Sequence, residues 1–439
     1  MDYNESFSLV MQLESLCTLL AIAAICNFNI MQFDVTSAYL HGNLKEELYM
    51  EQPDGHTVTG KENWVWKLKK GLYGLVQAGR TWNDELNSHM KSVGYAAMSK
   101  DPAVYIKGSW NQEEFVAGGF WVDDFVGIGS GAQLEALAKT VDEKYGITGL
   151  GEVKWVLGML VEHNCSARMI SISQEAFINS VLACFNLTDA TPLSTPLTPG
   201  TQLTNTDCPQ TQEEKDEMAN RPYRELVGAL SWLALGTRPN IAYTTSSLAR
   251  FGHNPGHAHW EAAKRILHYL KGTRGWKLTL GGKSAHIAGY TDADWGSDCN
   301  DCQSIGAYIV KIGDGAVSWK SKKQTCVALS SMEAEYMALC QVAKESVWMV
   351  DFLNDLSVSV QDSMVVNADN QGSIALTKNP VFHDQSKHIN IQYHFTRDLV
   401  KNRTISLNYI STKEMSADLL TKALPCAQHK YLARGIRLS

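Results

Sequence analysis

Along roughly the first 165 residues, short apolar runs of strand length alternate with segments whose apolar residues recur at helical spacing. Phe28–Val35 reads as a buried strand, and Trp64–Lys69 alternates its large side chains as a half-buried strand does. Phe115–Asp123 and Phe125–Ile128 are two further strands. Arg80–Val93 and Ala132–Tyr145 have helical periodicity, and Leu16–Cys26 is an apolar core helix too short to span a bilayer. From 188 to 222 the chain is polar, rich in Thr, Asn, Asp and Pro, and includes the charged run Glu213–Glu217, so it reads as a loop or linker. Arg224–Leu235 and Trp260–Lys271 follow as helices, and the four glycines between Gly272 and Lys283 mark a second boundary. Beyond 284, Ala285–Tyr290, Ile305–Ile312 and Ala316–Lys320 read as strands. Leu329–Val347 is a helix introduced by Ser330 and Ser331, with Glu333 in capping range. Mixed strands and helices of this kind predict an α+β protein.

Composition narrows this only in part. The 439 residues allow two or three domains at about 150 residues each. Hydrophobic residues make up 44% and prolines number 11, which excludes disordered, collagen-like and coiled-coil chains. No secretory or membrane segment is evident. The net charge of −7, from 39 basic and 46 acidic residues, does not exclude nucleic acid, because local basic patches remain. They are Lys67, Lys69 and Lys70; Lys264, Arg265, Lys271 and Arg274; and Lys320, Lys322 and Lys323. Each could be merely a solvated face, the commoner explanation for any one such patch. Cys299 and Cys302 form a CxxC without a second ligand pair at zinc spacing, so reduced thiols in a cytoplasmic or nuclear protein are expected.

The candidate chemistry lies in the acids. In Phe120-Trp121-Val122-Asp123-Asp124-Phe125-Val126 two aspartates interrupt an apolar β pattern. A buried unpaired carboxylate is costly. The pair therefore sits either in a water-exposed hairpin turn or against divalent cations, and the aromatic and β-branched flanks lean toward the cations. Asp34 ends another apolar run, Ile30–Val35, and with Asp123 and Asp124 would suffice for a two-metal phosphoryl-transfer site. A second set comprises Asp292 at a strand end, Glu335 on a helix, Asp369 after the apolar run Met364–Val366, and Asp418 opening a short helical run. Glu333 competes with Glu335, and Asp294 with Asp292. Any one of these acids is equally a cap or turn residue.

The words around these acids resemble the polymerase of copia-type long-terminal-repeat retrotransposons, a reverse transcriptase joined to a ribonuclease H. The resemblance is carried by Phe33-Asp34-Val35-Thr36-Ser37-Ala38-Tyr39-Leu40-His41-Gly42, by Leu68-Lys69-Lys70-Gly71-Leu72-Tyr73-Gly74-Leu75-Val76-Gln77, and by Trp121-Val122-Asp123-Asp124. Arg238-Pro239-Asn240-Ile241-Ala242-Tyr243, Tyr290–Trp295, Ser330–Leu339, Ala368-Asp369-Asn370-Gln371, Lys387-His388-Ile389 and Ala417-Asp418-Leu419-Leu420-Thr421-Lys422 continue it in order.

The resemblance implies a right-hand polymerase palm with partial fingers and the start of the thumb over 1–187. A linker and helical thumb or connecting region would follow over 188–283, and a ribonuclease H-like α/β domain over 284–439. It implies that Asp34, Asp123 and Asp124 bind magnesium in the palm, manganese being able to replace it. Tyr39 would exclude the ribose 2′-hydroxyl and Gln77 would contact the nucleotide. Asp292, Glu335, Asp369 and Asp418 would bind the metals of the nuclease, and the resemblance favours Glu335 over Glu333 and Asp292 over Asp294. The implied partners are an RNA template, a DNA primer, RNA–DNA hybrid and deoxynucleoside triphosphates, with no membrane, in a cytoplasmic particle and the nucleus. The chain departs from the family in Leu9 for proline, Val76 for lysine and Trp121 for tyrosine. It opens at Met1–Ser8, a word that follows the family's triphosphate-gripping fingers segment. The alternative expectation is therefore a truncated fragment that binds hybrids or retains only ribonuclease H activity.

Overall fold

The computed structural model describes residues 8–358, 363–378 and 390–439. Residues 1–7 of the opening word and Lys387-His388-Ile389 lie outside the described residues. The chain forms two compact units. The first takes in residues 8–19, 28–153 and 352–358; the second takes in 20–27, 154–351 and the described part of 363–439.

The first unit is built on a six-stranded antiparallel sheet. Helix α1 (Leu13–Cys26) precedes β1 (Asn29–Val35), and β2 (Asn43–Glu51) pairs with β3 (Val65–Lys70) as a separate two-stranded ribbon. Helix α2 (Ala78–Ser92) is followed by β4 (Ala96–Ala97), β5 (Val104–Lys107), β6 (Val116–Trp121), β7 (Asp124–Gly129), α3 (Gly131–Tyr145) and β8 (Ile147–Glu152). The sheet order is β4-β5-β6-β7-β1-β8. Alternation along β1 sends Phe33 and Val35 into a core shared with Phe120 and Phe125 of the sheet, Trp82, Leu86 and Met90 of α2, and Leu134, Leu137 and Val141 of α3. Phe33 and Phe125 stack at 4.5 Å. Gly118 and Gly127 make room for that ring: a Cβ at Gly118 would stand 2.7 Å from the Gly127 Cα and closer still to Phe125.

Two features of this unit were not expected. Trp64, Val65 and Trp66 are 62%, 51% and 41% exposed rather than half-buried on one side, because the ribbon does not join the six-stranded sheet. Asp101, only 2% exposed, accepts from Gln12 N at 2.9 Å, Ser15 Oγ at 2.6 Å and Ala103 N at 3.2 Å. It supplies the acceptor that the start of α1 lacks within its own segment.

The second unit holds two sheets and a helical cluster. β9 (Trp155–Val156), β10 (Met159–Asn164) and β11 (Met169–Ser173) form a sheet with β12 (Leu278–Gly281) in the order β12-β11-β10-β9. Between β11 and β12 lie α4 (Glu175–Cys184), α5 (Gln212–Ala219), α6 (Tyr223–Gly236), α7 (Ala242–Ala249) and α8 (His257–Gly272). Leu226, Leu230, Leu233, Ile266 and Leu270 form the centre of their core. The linker expected over 188–222 is not wholly irregular, since Glu213–Glu217 lies inside α5. Thr211 and Glu214 close a capping box there, which offsets the run's like-charge repulsion.

Arg238, fully buried, donates to Asn240 Oδ1, Thr273 O and Thr273 Oγ1 at 3.2, 3.1 and 2.6 Å, with Tyr269 and Trp276 each 5.7 Å away.

The last sheet has the order β15-β14-β13-β16-β17, with β13 (Ile287–Asp294), β14 (Ile305–Ile312) and β15 (Gly315–Lys323) antiparallel. β16 (Met364–Ala368) joins β13 in parallel, and β17 (Ile405–Tyr409) joins β16 in parallel. Helices α9 (Ser331–Asp355), α10 (Gln371–Lys378), α11 (Asn390–Lys401) and α12 (Cys426–Gly435) complete the chain. The chain thus has the mixed α+β class expected. Among the described residues no helix is long and apolar enough to cross a membrane.

Candidate functional site

In the first unit, β1 and β7 lie side by side with Asp34 opposite Asp124 and Phe33 opposite Phe125. Alternation therefore puts both carboxylates on the sheet face away from the aromatic core. Asp123 sits in the two-residue turn between β6 and β7, where Trp121 pairs with Asp124. Its backbone O accepts from Val35 N at 2.8 Å, which ties the turn to the end of β1. Tyr73 Oη stands 3.5 Å from Asp123 Oδ2. Burial, and next the neighbouring Asp123, push the Asp34 carboxyl above its ordinary range, against an opposing hydrogen bond from Thr148. Burial, then Asp123 and Asp34, push Asp124 in the same direction. Tyr39 lies in the 3-10 turn Ala38–His41, its ring 4.6 Å from that of Tyr73. Gln77 is the residue before the first turn of α2 and is 4% exposed.

In the second unit, oxygens of Asp292, Glu335 and Asp369 lie within 4.8 Å of one another. Three elements bring them together: the end of β13, the second turn of α9 and the residue after β16. β13 and β16 are adjacent parallel strands, so their ends open on the same edge of the sheet. Asp292 is 2% and Glu335 8% exposed. Burial, then the carboxylates of Asp292 and Asp369, hold the Glu335 carboxyl well above the usual range, and its Oε2 is buried without a hydrogen-bond donor. Thr412 Oγ1 donates to Asp369 Oδ2 at 2.7 Å and Thr421 Oγ1 donates to Asp292 Oδ2.

Asp418 lies in the 3-10 turn Ser416–Leu420, outside the three-acid cluster. Burial, then Asp292, raise its carboxyl, against the attraction of Lys422. The Lys422 ammonium reaches Asp418 Oδ1 at 3.0 Å and Asp292 Oδ2 at 3.3 Å. Of the two competing acids, Glu333 serves the start of the helix: it accepts from Leu329 N at 2.8 Å while its own N–H donates to Ser330 Oγ at 3.2 Å. Asp294 points along the same side of β13 as Asp292, and burial raises its carboxyl.

Sequence reasoning passed over Lys422, Thr421 and Thr412 as parts of these sites. Lys422 stands four residues after Asp418, a spacing that signals a helical ion pair. Thr412 carries no signal in the sequence. Cys299 and Cys302 are both exposed, and among the described residues no metal-ligating cluster includes them.

The chain matches the family model for reverse transcriptase (RNA-dependent DNA polymerase) over residues 1–199. It is similar to the retrovirus-related Pol polyprotein from transposon TNT 1-94 of Nicotiana tabacum, with 42% identity over 97% of this chain and 32% of that protein. It is also similar to the retrovirus-related Pol polyprotein from transposon RE1 of Arabidopsis thaliana, with 34% identity over 97% of this chain and 28% of that protein. The chain thus spans about a third of the length of these relatives. Among solved structures, the foamy viral protease-reverse transcriptase in complex with double-stranded DNA shares 11% identity, with a TM-score of 0.46 over 94% of this chain and 60% of that one. By its sequence relatives, the chain belongs to the reverse transcriptase family of copia-type transposon Pol polyproteins.

Proposed function

We propose that the chain is an RNA-directed DNA polymerase with a ribonuclease H centre, the first unit extending a DNA primer on an RNA template and the second cleaving RNA within RNA–DNA hybrids. The observation that supports this most is the meeting of the buried Asp292 and Glu335 with the partly exposed Asp369. Three carboxylates so close repel one another, and the orphaned Glu335 Oε2 adds an acceptor with nothing to accept from. Hard oxygen donors in that arrangement fit magnesium, and manganese by the same chemistry.

Asp292, Glu335, Asp369 and Asp418 would hold the ions in the second unit, and Asp34, Asp123 and Asp124 in the first. Bound divalent ions supply Lewis-acid charge to phosphoryl oxygens and make attack by a hydroxyl or water easier. The chain's own part is positioning. Thr412 and Thr421 fix rotamers of Asp369 and Asp292, and Lys422 neutralises Asp418. In the first unit the ring of Tyr39, packed against Tyr73, would select deoxynucleoside triphosphates by crowding the ribose 2′-hydroxyl. Gln77 would contact the nucleotide from the start of α2.

One labelled RNA template annealed to a DNA primer, with magnesium and deoxynucleotides, tests both centres. Asp123→Asn should abolish primer extension and leave RNA cleavage; Glu335→Gln should do the reverse. Unchanged extension by Asp123→Asn overturns the palm assignment. A nuclease without polymerase activity is the second reading. It is favoured because, among the described residues, three acids meet within 4.8 Å only at Asp292, Glu335 and Asp369. RNA shortening without extension by the unaltered chain would establish it, and tight hybrid binding without turnover would leave the fragment reading.

A further inference from the structure

Val122 has a backbone φ of 61°. For a β-branched residue the left-handed region is crowded, and the first position of a two-residue hairpin turn with positive φ ordinarily carries Gly, Asn or Asp. Val122 occupies that position between Trp121 and Asp124, immediately before the paired aspartates. A strained residue persists only where its surroundings hold it. Here the hold is visible. Trp82 Nε1 donates to Val122 O at 2.6 Å, from the second turn of α2 and forty residues away in sequence. The indole is itself fixed, 2% exposed and edge-on to Tyr145 at 5.0 Å. On the other side of the turn Val35 N grips Asp123 O at 2.8 Å.

We propose that Trp82 is a positioning residue for the palm: its indole N–H clamps the strained Val122 turn and so sets where Asp123 and Asp124 stand relative to Asp34. This rests on the polymerase reading of those three acids. The ring of Trp82 also packs in the core, so loss of the N–H must be separated from loss of packing. Gly at 122 adopts positive φ at no steric cost. It would therefore make the clamp dispensable, whereas a packing defect at position 82 would persist whatever residue stood at 122.

The experiment is a double-mutant cycle of Trp82→Phe and Val122→Gly, read by primer extension and by Mn2+ binding in electron paramagnetic resonance. The binding assay uses protein carrying Asp292→Asn and Glu335→Gln, to silence the second centre. In the Val122 background, Trp82→Phe should lower kcat about ten-fold, with KM for the deoxynucleotide within about two-fold, and weaken Mn2+ binding several-fold. In the Val122→Gly background the same substitution should cost about two-fold or less, while its effect on the unfolding midpoint is equal in both backgrounds. If Trp82→Phe loses the fold, 3-benzothienylalanine at position 82 keeps the fused ring without the N–H and takes its place. Equal losses of kcat and Mn2+ affinity in both backgrounds, or none in either, overturn the clamp. Mn2+ binding unaffected by Asp123→Asn, with no extension by the unaltered chain, instead overturns the polymerase reading, and the clamp's catalytic role with it.

Discussion

Lys422 holds its ammonium 3.0 Å from Asp418 Oδ1, four residues back along the same turn of chain. Burial opposes that charge, but Asp292 and Asp418 together keep the lysine above its ordinary range. The lysine is thus an internal counter-ion for two acids that are 2% and 3% exposed.

Lys422→Met should therefore leave both carboxylates without a cation. The expected cost without added divalent ions is ~2 kcal/mol, below the ~3–5 kcal/mol of a fully buried broken pair because the Lys422 side chain stays 34% exposed. Magnesium should raise the melting temperature of the variant more than that of the parent, since the ion takes over the neutralisation. Equal magnesium shifts in calorimetry would show that the lysine has no such role.

Lys311 gives the clearest dependence on pH. It is 7% exposed, donates to Gly435 O at 2.7 Å and lies 4.2 Å from the centre of the Tyr290 ring. Burial lowers its ammonium to about 8, against the attraction of Asp314. Below that value both folded and unfolded chains carry the proton, and the cost of burying the charge is constant. Between about 8 and the unfolded value near 10.4 the unfolded chain binds more protons, so the lysine's contribution to stability rises with pH, by ~1.4 kcal/mol per unit at most. Chemical unfolding from pH 7 to 10.5 should show the parent gaining on Lys311→Met across that window and not below it. Parallel profiles would mean that Lys311 titrates alike in both states.

Gly118 of β6 lies opposite Gly127 of β7. Gly118→Ala should destabilise by ~2 kcal/mol, because the new methyl would meet Gly127 Cα and the Phe125 ring, and neither strand backbone can yield. Gly151, in β8 of the same sheet, has nothing within 4 Å of its would-be Cβ, and Gly151→Ala should shift stability by less than ~0.5 kcal/mol. Urea midpoints of the two variants would check the contrast, and similar losses at both would refute it.

Much of the local structure was readable from the chain. Strand alternation at Phe33-Asp34-Val35 is also what separates a carboxylate from an aromatic core, so the pattern predicts both the strand and the face its acid occupies. The cap that Ser330 Oγ places on Glu333 N is legible because a cap acts over three residues. A full capping box at Thr211 and Glu214 starts a helix inside a stretch whose polar composition reads as a loop. The exposure of Trp64–Trp66 escapes the sequence pattern for a different reason. Periodicity reports which side chains share a face and says nothing of whether a second layer covers it.

The sequence by itself determined the family, the element types and the acids able to carry chemistry, because propensity, alternation and motif order act over a few residues. Only the tertiary structure decided which acids meet. Asp292, Glu335 and Asp369 are dispersed along the chain and converge because β13 and β16 run parallel and end at one edge beside α9. It alone also disclosed Trp82 gripping Val122, Asp101 supporting α1 and Lys422 between two acids. Each of these contacts joins groups whose approach is set by packing of whole elements. No short stretch of sequence records the distance between such groups.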